Sequence, residues 1–258
     1  MTAKHVEESG YTRREMMAVA LARQIKDGMV CIAGTGLPLL GATLAKLTSA
    51  PNSIIISETG IIDGRLDQLP IGVSDTRFAY RASTWWPRYR YCGFLIKMRD
   101  KINLGFLGGA QIDPYGNLNS TSIGDYHHPS IRFTGSGGAN GIATNVNTVI
   151  IMRHEKRRFV DKVDYLTSPG WIDGESGRKK LGLPDKGPSA VVTTLGIMRF
   201  DQKSRRMYVG ECYPGVSAEE IKENTGFTID LSRAVLSDPP DDHILSVLRQ
   251  IDKDRLYI

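Results

Sequence analysis

A strand, helix and strand pattern near the N-terminus limits the folds open to this chain more than any other feature. Met29–Ala33 is an apolar run that predicts a buried strand, and Gly34–Gly36 follows it as a tight turn. Leu37–Leu47 has the composition of a helix, and Ile54–Ile56 predicts a second strand. This order forms a right-handed βαβ unit with parallel strands. We therefore expect an α/β protein with a mostly parallel open sheet flanked by helices.

The same unit imitates a dinucleotide-binding site. Gly34 and Gly36 open the helix, and an acidic residue, Glu58, lies about 20 residues further on, as the fingerprint of such sites requires. The fingerprint also needs a third glycine for close contact between helix and strand, and this chain has Leu39 at that position. A dinucleotide site is therefore the less favoured interpretation.

Glu58 follows the Ile54–Ile56 run almost directly. Open α/β sheets bind ligands outside the carboxyl ends of their strands, which is where Glu58 is expected. A lone glutamate after a strand is usually a solvated loop residue or a helix cap. Several glycine-rich turns that border apolar runs can converge on one crevice, and they favour a functional role. These turns are residues 34–36, 108–109 and 135–138. We interpret Glu58 as a candidate nucleophile.

The densest glycine cluster is Gly135-Ser136-Gly137-Gly138-Ala139. A flexible linker has a similar composition, but linkers rarely stand between dense apolar segments, and this cluster lies between Ile131–Phe133 and Val146–Met152. Backbone amides without side chains can closely approach a developing oxyanion or a phosphate. We therefore predict that residues 135–139 bind such groups.

The charge of the chain argues against nucleic acid as a partner. The formal net charge is +5 and the pI is about 9.1, which suits acidic ligands such as phosphates and carboxylates. The densest basic run, His154–Arg158, follows an apolar stretch, so we interpret it as a solvated strand end and regard a phosphate contact as the minority alternative. One cluster without a basic stripe does not predict nucleic-acid binding.

Metal binding and disulfides are not indicated either. Adjacent histidines such as His127 and His128 rarely point the same way, and no second cluster completes a zinc set, so we expect a polar loop and no metal. The cysteines Cys31, Cys92 and Cys212 are odd in number and far apart, which fits a reducing cytoplasm. Neither a signal peptide nor a run of roughly 20 apolar residues is present, so we expect a cytoplasmic protein without membrane contact.

The rest of the chain alternates between elements without a clear division. A capping box at Thr12 and Glu15 begins a helix, and Asp241–Ile251 predicts a final amphipathic helix. Strands are predicted at residues 104–107, 163–167, 190–194, 196–200 and 207–209, the last two as a hairpin. Gln111 and Asn119 are expected to flank one crevice. We expect a single domain over residues 1–258, with residues 1–11 frayed.

An aromatic segment, Phe78–Phe94, carries Trp85 and Trp86 in a basic setting. It could form a lid, an aromatic wall or an interface. So much aromatic surface is costly to leave in water, so we favour an interface with another subunit.

Five motifs are specific when they are taken together. They are Gly34-Thr-Gly-Leu-Pro38, Ser57-Glu58-Thr59-Gly60, Gly108-Gly-Ala-Gln-Ile-Asp-Pro-Tyr-Gly-Asn117, Ser122-Ile-Gly-Asp-Tyr126 and Gly135-Ser-Gly-Gly-Ala-Asn-Gly141. Together they resemble the β subunit of the class I coenzyme A transferases, most closely the glutaconate branch, over nearly the whole chain. Glu58 stands where that family carries its catalytic glutamate, although Thr59 departs from the family's usual forms. A related branch that hydrolyses or decarboxylates CoA thioesters lacks this glutamate.

The resemblance implies the CoA-transferase fold and a heterotetramer or heterooctamer with an α subunit of similar fold, with the CoA site at the contact between the two chains. It implies an acyl-CoA and a carboxylic acid, such as the dicarboxylate glutaconate, as substrates, without a further cofactor. Catalysis would be ping-pong, through a thioester between CoA and Glu58. The alternatives are a hydrolase or decarboxylase on the same scaffold, or a non-catalytic subunit of such a complex.

Overall fold

The computed structural model of the chain describes residues 10–66, 68–86 and 98–258. It divides into two compact units. The first unit belongs to Met1–Gly93 and Asp238–Ile258, and the second to Phe94–Ser237. A single domain over residues 1–258 stays a prediction. Most of the N-terminal segment that was predicted to fray, residues 1–9, lies outside the described part.

The helices and strands are numbered in chain order. The helices are α1 (Arg13–Ala22), α2 (Leu37–Leu47), α3 (Ala139–Asn145), α4 (Gly177–Lys180), α5 (Ala218–Glu223) and α6 (Asp242–Ile251). The strands are β1 (Val30–Ile32), β2 (Ile54–Ile56), β3 (Ile61–Ile62), β4 (Thr84–Trp85), β5 (Leu104–Gly108), β6 (Gln111–Ile112), β7 (Leu118–Asn119), β8 (Ser122–Ile123), β9 (Ile131–Arg132), β10 (Thr148–Met152), β11 (Pro188–Thr193), β12 (Gly196–Phe200), β13 (Met207–Cys212) and β14 (Val235–Leu236).

The first unit contains the predicted βαβ element. β1 and β2 pair in parallel, with Cys31 opposite Ile55, and α2 connects them. β3 and then β4 continue this sheet in antiparallel pairing. α1 and α2 cross closely at Gly41, where an added Cβ would lie 2.7 Å from Leu21 Cβ. The missing side chain therefore allows the two helices to touch.

α1 begins with the predicted capping box. Glu15 N donates to Thr12 Oγ1 at 3.1 Å, and Thr12 N donates to Glu15 Oε2 at 2.6 Å. Glu15 is buried, and its second oxygen accepts a hydrogen bond from Arg249 Nε of α6 at 2.7 Å. The capping carboxylate thus also joins the first helix to the last one within this unit.

The second unit is built on parallel pairs at its centre. β10 pairs in parallel with β5 on one side and β11 on the other. β12 and β13 follow as the predicted antiparallel hairpin, and β14 pairs in parallel with β13. α3 packs on β5, where Ile142 fills the space over Gly105. The predicted α/β class, with a mostly parallel sheet flanked by helices, is confirmed.

The strand predicted at Val163–Thr167 is wrong. In the described structure this segment is a loop, followed by an isolated bridge between Leu118 and Ser168. Its ends are buried, but residues 164–166 are exposed. Side chains hold the loop in place, because Asp164 Oδ2 accepts from Gln111 Nε2 at 3.2 Å and from Gly124 N at 2.8 Å.

Candidate active site

Glu58 occupies a three-residue hairpin loop between β2 and β3. Ser57 N donates to Ile61 O at 2.9 Å, and Gly60 N donates to Ser57 O at 3.1 Å. Gly60 has a φ of +87°, as expected for the last residue of such a loop. The chain therefore reverses directly after β2, and Glu58 takes the first position of the loop.

Gly60 is required here for two reasons. Its φ lies in the left-handed region, and a Cβ at this position would overlap the carbonyl oxygen of Trp86. Trp86 N also donates to Gly60 O at 2.9 Å. The backbone beyond β4 therefore lies directly against the loop that carries Glu58 and restricts its movement.

An ion pair fixes the hairpin to α2. Lys46 Nζ lies 2.7 Å from Asp63 Oδ1 and donates to Ser53 O at 2.5 Å. Asp63 N donates to Ile55 O at 2.7 Å. Both charged side chains are half-buried, so the pair is less screened than a surface salt bridge. The base of the hairpin is thereby held to the last turn of the helix.

The carboxylate of Glu58 is half-buried and has no hydrogen bond or ion pair with any residue that the structure describes. The hydroxyls on either side of it, of Ser57 and Thr59, bond to each other at 2.7 Å. A carboxylate without internal donors keeps its lone pairs available for a substrate, as a nucleophile must.

The predicted glycine cluster forms a loop in the second unit that leads into α3. Gly135 N donates to Ser120 O at 3.0 Å, and Ser120 Oγ donates to Gly135 O at 3.0 Å. Ala139 N donates to Ser136 O at 2.9 Å. The amides of Gly135 and Ala139 are therefore used within the protein and are not available to a ligand in this conformation.

The amides of Gly137 and Gly138 differ from these. Neither donates to a residue in the described part of the chain. Gly137 has a φ of +50° and Gly138 a φ of −78°. Successive amides in a left-handed and a right-handed residue form a concave site of the type that binds anions. Within the predicted cluster, these two positions retain free donors.

The sequence of this chain matches the family described as Coenzyme A transferase over residues 14–224. The chain belongs to the coenzyme A transferase family. The β subunit of glutaconate CoA-transferase from Acidaminococcus fermentans is 54% identical over 97% of this chain and 96% of that protein. The β subunit of 3-oxoadipate CoA-transferase from Pseudomonas knackmussii is 42% identical over 88% of this chain and 87% of that protein.

The fold of this transferase chain is also similar to a solved member of the family. The crystal structure of glutaconate coenzyme A-transferase from Acidaminococcus fermentans matches with a TM-score of 0.94 and 53% identity, over 97% of this chain and 98% of that chain. The predicted family and enzyme class are therefore confirmed. Glu58 lies in the first unit of the transferase chain and residues 135–139 lie in the second.

The residues that anchor the glycine loop of the transferase chain were not predicted from the sequence. Thr167 Oγ1 accepts from Ser120 N at 2.9 Å and bonds to Thr121 Oγ1 at 2.8 Å. Asn140 Nδ2 donates to Thr167 O at 2.8 Å. Thr167 thus holds both ends of the loop. No local motif could have identified it, because Thr167 lies 47 residues from Ser120 along the chain.

Gln111 and Asn119 do not flank an open crevice, so that prediction is wrong. They lie opposite each other in the β6 and β7 pair, and Asn119 Nδ2 donates to Gln111 Oε1 at 2.7 Å. Both are buried. Their side chains meet because cross-strand neighbours on one face are close, and this contact fills the space between them.

Buried titratable groups of the second unit have displaced pKa values. Burial raises the pKa of Asp113 to about 6, although its carboxylate accepts from Asn117 Nδ2 at 2.7 Å. Burial lowers the pKa of His154 to about 3. Asp113 also accepts from Tyr115 N and Asn117 N, so it caps its own turn. Both groups make their bonds inside the protein and serve the fold.

Metal-ligand clusters and membrane-spanning helices are both missing from residues 10–66, 68–86 and 98–258. This part of the transferase chain has no group of three or more His, Cys, Asp or Glu residues that could hold a metal ion. His127 and His128 lie on an exposed loop, where both backbone amides donate to Asp125 Oδ1. No helix in these ranges has the length and apolar character needed to cross a membrane.

Proposed function

We propose that this chain is the β subunit of a heteromeric CoA-transferase that moves CoA from an acyl-CoA to a dicarboxylic acid such as glutaconate. The observation that carries the proposal is Glu58, a half-buried carboxylate on a rigid turn without an internal partner among the described residues. The two relatives described above are named for glutaconate and 3-oxoadipate. Both compounds are dicarboxylic acids, which supports this substrate class.

Glu58 begins the reaction as a nucleophile. One carboxylate oxygen attacks the thioester carbonyl of the donor, the C–S bond breaks, and CoA leaves as a thiolate with the electron pair. The product is a mixed anhydride between Glu58 and the donor acid. An anhydride keeps the energy of the thioester, so the exchange needs no ATP, whereas a serine would form a stable ester.

The CoA thiolate then attacks the Glu58 carbonyl of the anhydride. The C–O bond breaks, the donor acid leaves as a carboxylate, and a thioester between Glu58 and CoA remains. The acceptor acid reverses both steps: its carboxylate attacks this thioester, and the released thiolate attacks the acceptor acyl group. Glu58 is regenerated as a carboxylate, and no net proton is consumed.

Two backbone amides are proposed to stabilise the negative charge that develops on the carbonyl oxygen. Gly137 N and Gly138 N have no partner among the described residues, and one such donor contributes about 2.7 to 4 kcal/mol in other enzymes. Gly135, Ser136 and Ala139 support this loop and contribute to the CoA-binding segment. Gly135 and Ala139 do so through their internal hydrogen bonds.

The proposed partner is an α subunit of similar fold, in a heterotetramer or heterooctamer, with the CoA site at the contact between the chains. A covering subunit would exclude water, which would otherwise hydrolyse the anhydride and the thioester. CoA enters as a substrate, and no further cofactor is proposed. A cytoplasmic location, without nucleic acid or membrane as a partner, stays a prediction.

The test is to trap the thioester in the purified complex with its α subunit. We expect hydroxylamine to add a hydroxamate mass to the peptide that contains Glu58, after incubation with acyl-CoA and before addition of the acceptor acid. Glu58→Gln should abolish both the label and the transfer. Glu175→Gln, which changes an exposed glutamate of the second unit, should leave both unchanged.

Two results would contradict the proposal. An unmodified Glu58 in a complex that still consumes acyl-CoA would indicate hydrolysis or decarboxylation. A fully active complex with Glu58→Gln would indicate that the chain is a non-catalytic subunit.

The acid class needs a separate assay. Acetyl-CoA serves as the donor, and glutaconate, 3-oxoadipate and butyrate are compared as acceptors. We expect higher kcat/KM for the two dicarboxylates than for butyrate. Equal values for all three would remove the dicarboxylate from the proposal but leave the transferase mechanism intact.

A further inference from the structure

Glu58 is flanked by two hydroxyl groups that contact each other and not the carboxylate. Ser57 Oγ and Thr59 Oγ1 are 2.7 Å apart, although Glu58 lies between them in the chain. Ser57 is only 4% exposed and Thr59 is half-buried. A hydrogen bond between side chains two residues apart spans the loop and limits how the intervening residue can turn.

Ser57 also replaces a backbone contact of the hairpin. Its Oγ accepts from Ile61 N at 3.3 Å, and its carbonyl oxygen accepts from Gly60 N. One side chain therefore contacts both the strand that leaves the loop and the hydroxyl of Thr59. Because Gly60 is itself held against Trp86, the loop is fixed from two sides.

The mutual bond of the two hydroxyls has a chemical consequence for Glu58. A hydroxyl that donated to the carboxylate would stabilise its charge and lower its reactivity as a nucleophile. Ser57 and Thr59 each have a short reach to their neighbour, but one hydroxyl is occupied as the donor to the other. This arrangement keeps nearby donors away from the attacking oxygen.

We infer that Ser57 and Thr59 are positioning residues, whose hydroxyl bridge holds the Glu58 loop in the conformation that attacks the thioester. The inference rests on the proposed function, in which Glu58 is the nucleophile. It assigns a role to Thr59 at the one position where this chain departs from the family's usual motif around the glutamate.

Thr59 is the better site for a test, because its hydroxyl bonds only to Ser57 among the described residues. Thr59→Val removes the hydroxyl and keeps the branched shape. Thr59→Ser keeps the hydroxyl and removes a methyl group. Both variants are prepared in the complex with the α subunit, and thermal unfolding establishes that each is folded.

We expect Thr59→Val to lower kcat by about ten- to a hundredfold, with KM for acyl-CoA within about twofold, because a misplaced nucleophile slows the chemical step. The rate of hydroxylamine-trapped labelling of Glu58 should fall by the same factor. Thr59→Ser should restore both rates to within about threefold of the original protein. A purely structural role would lower the melting temperature of Thr59→Val without this split between kcat and KM.

Ser57→Ala and the double variant with Thr59→Val complete a mutant cycle. If the two hydroxyls act as one bridge, the double variant should be no slower than the slower single variant. Additive losses would overturn the inference. So would a Thr59→Val complex that labels Glu58 at the original rate, or a Thr59→Ser complex as slow as Thr59→Val.

The control for the proposed function is Glu58→Gln. If this variant transfers CoA normally, the nucleophile is wrong and the positioning role fails with it. If Glu58→Gln is inactive while Thr59→Val is fully active, only the positioning role fails.

Discussion

At the scale of single residues, His154 is a buried neutral imidazole. Its Nδ1 lies 3.2 Å from Thr193 Oγ1, its Nε2 lies 3.0 Å from Thr225 Oγ1, and its ring stacks on Phe159. Burial lowers its pKa to about 3, below the unfolded value near 6.5. The unfolded chain therefore binds the extra proton first, so stability from this group is complete above about pH 6.5 and is lost as the pH falls towards 3.

The titration of His154 predicts a pH-dependent stability. At pH 5.0 the free energy of unfolding should be about 2 kcal/mol lower than at pH 7.5 through this residue alone. In His154→Gln, urea unfolding should show a difference between these pH values that is smaller by that amount. His243→Gln, at an exposed position of α6, should keep the original difference. The same pH difference in His154→Gln as in the original protein would contradict the prediction.

Gly138 offers a second test at the residue scale. Its φ of −78° suits alanine and proline, but only proline removes the amide hydrogen. Because this amide has no partner among the described residues, its loss should barely change the melting temperature. If it stabilises the oxyanion, Gly138→Pro should lower kcat by about 10²- to 10³-fold, while Gly138→Ala stays within a few-fold. Similar kcat values for the two variants would exclude Gly138 N as a donor.

At the scale of elements, the contact of α1 with α2 depends on Gly41. Replacement by alanine would raise helix propensity by about 1 kcal/mol. The new Cβ, however, would lie 2.7 Å from Leu21 Cβ and 3.1 Å from Ala18 O, atoms that move only with the helix backbone. Overpacking of this kind costs about 1 to 3 kcal/mol, so we expect Gly41→Ala to destabilise the chain by about 1 to 2 kcal/mol net.

Urea unfolding measures this balance. Ser246→Ala, at an exposed position of α6, is the control, because it gains propensity without a new contact and should be neutral or slightly stabilising. Equal or higher stability for Gly41→Ala would mean that the helices separate at little cost.

Elements were predictable where local chemistry determines them. The capping box at Thr12 and the βαβ unit follow from neighbouring residues, and the strand-end position of Glu58 follows from that unit. The error at Val163–Thr167 has a different origin. Its apolar residues resemble a strand, but Asp164 bonds to Gln111, 53 residues away in the chain, and holds the segment as a loop.

The glycine loop shows the same limit at the candidate site. Its sequence predicted free amides throughout residues 135–139, and a local pattern cannot distinguish one amide from the next. Ser120 and Ser136 decide which donors are used, and Ser120 is distant in sequence. Only the folded chain separates Gly137 and Gly138 from their neighbours.

At the scale of the whole molecule, exposed aromatic side chains stand next to the Glu58 loop. Trp85 is 68% exposed and Trp86 is 38% exposed. Their strand, β4, pairs with β3, which follows the loop directly. Large exposed aromatic surface is typical of sites that another molecule covers. The predicted interface at Phe78–Phe94 stays a prediction, and its residues 87–94 lie outside the described part.

The three tryptophans allow this interface to be tested by fluorescence. Trp171 is only 7% exposed, donates through Nε1 to Pro188 O at 2.9 Å and lies beneath the guanidinium of Arg205, so acrylamide should hardly reach it. Acrylamide should strongly quench Trp85 and Trp86 in the separate chain and much less in the complex with the α subunit. In Trp85→Phe/Trp86→Phe, only Trp171 remains, and its weak quenching should not change on assembly. If the original chain is quenched equally before and after assembly, the surface around β4 stays in water, and the α subunit must cover Glu58 from another side.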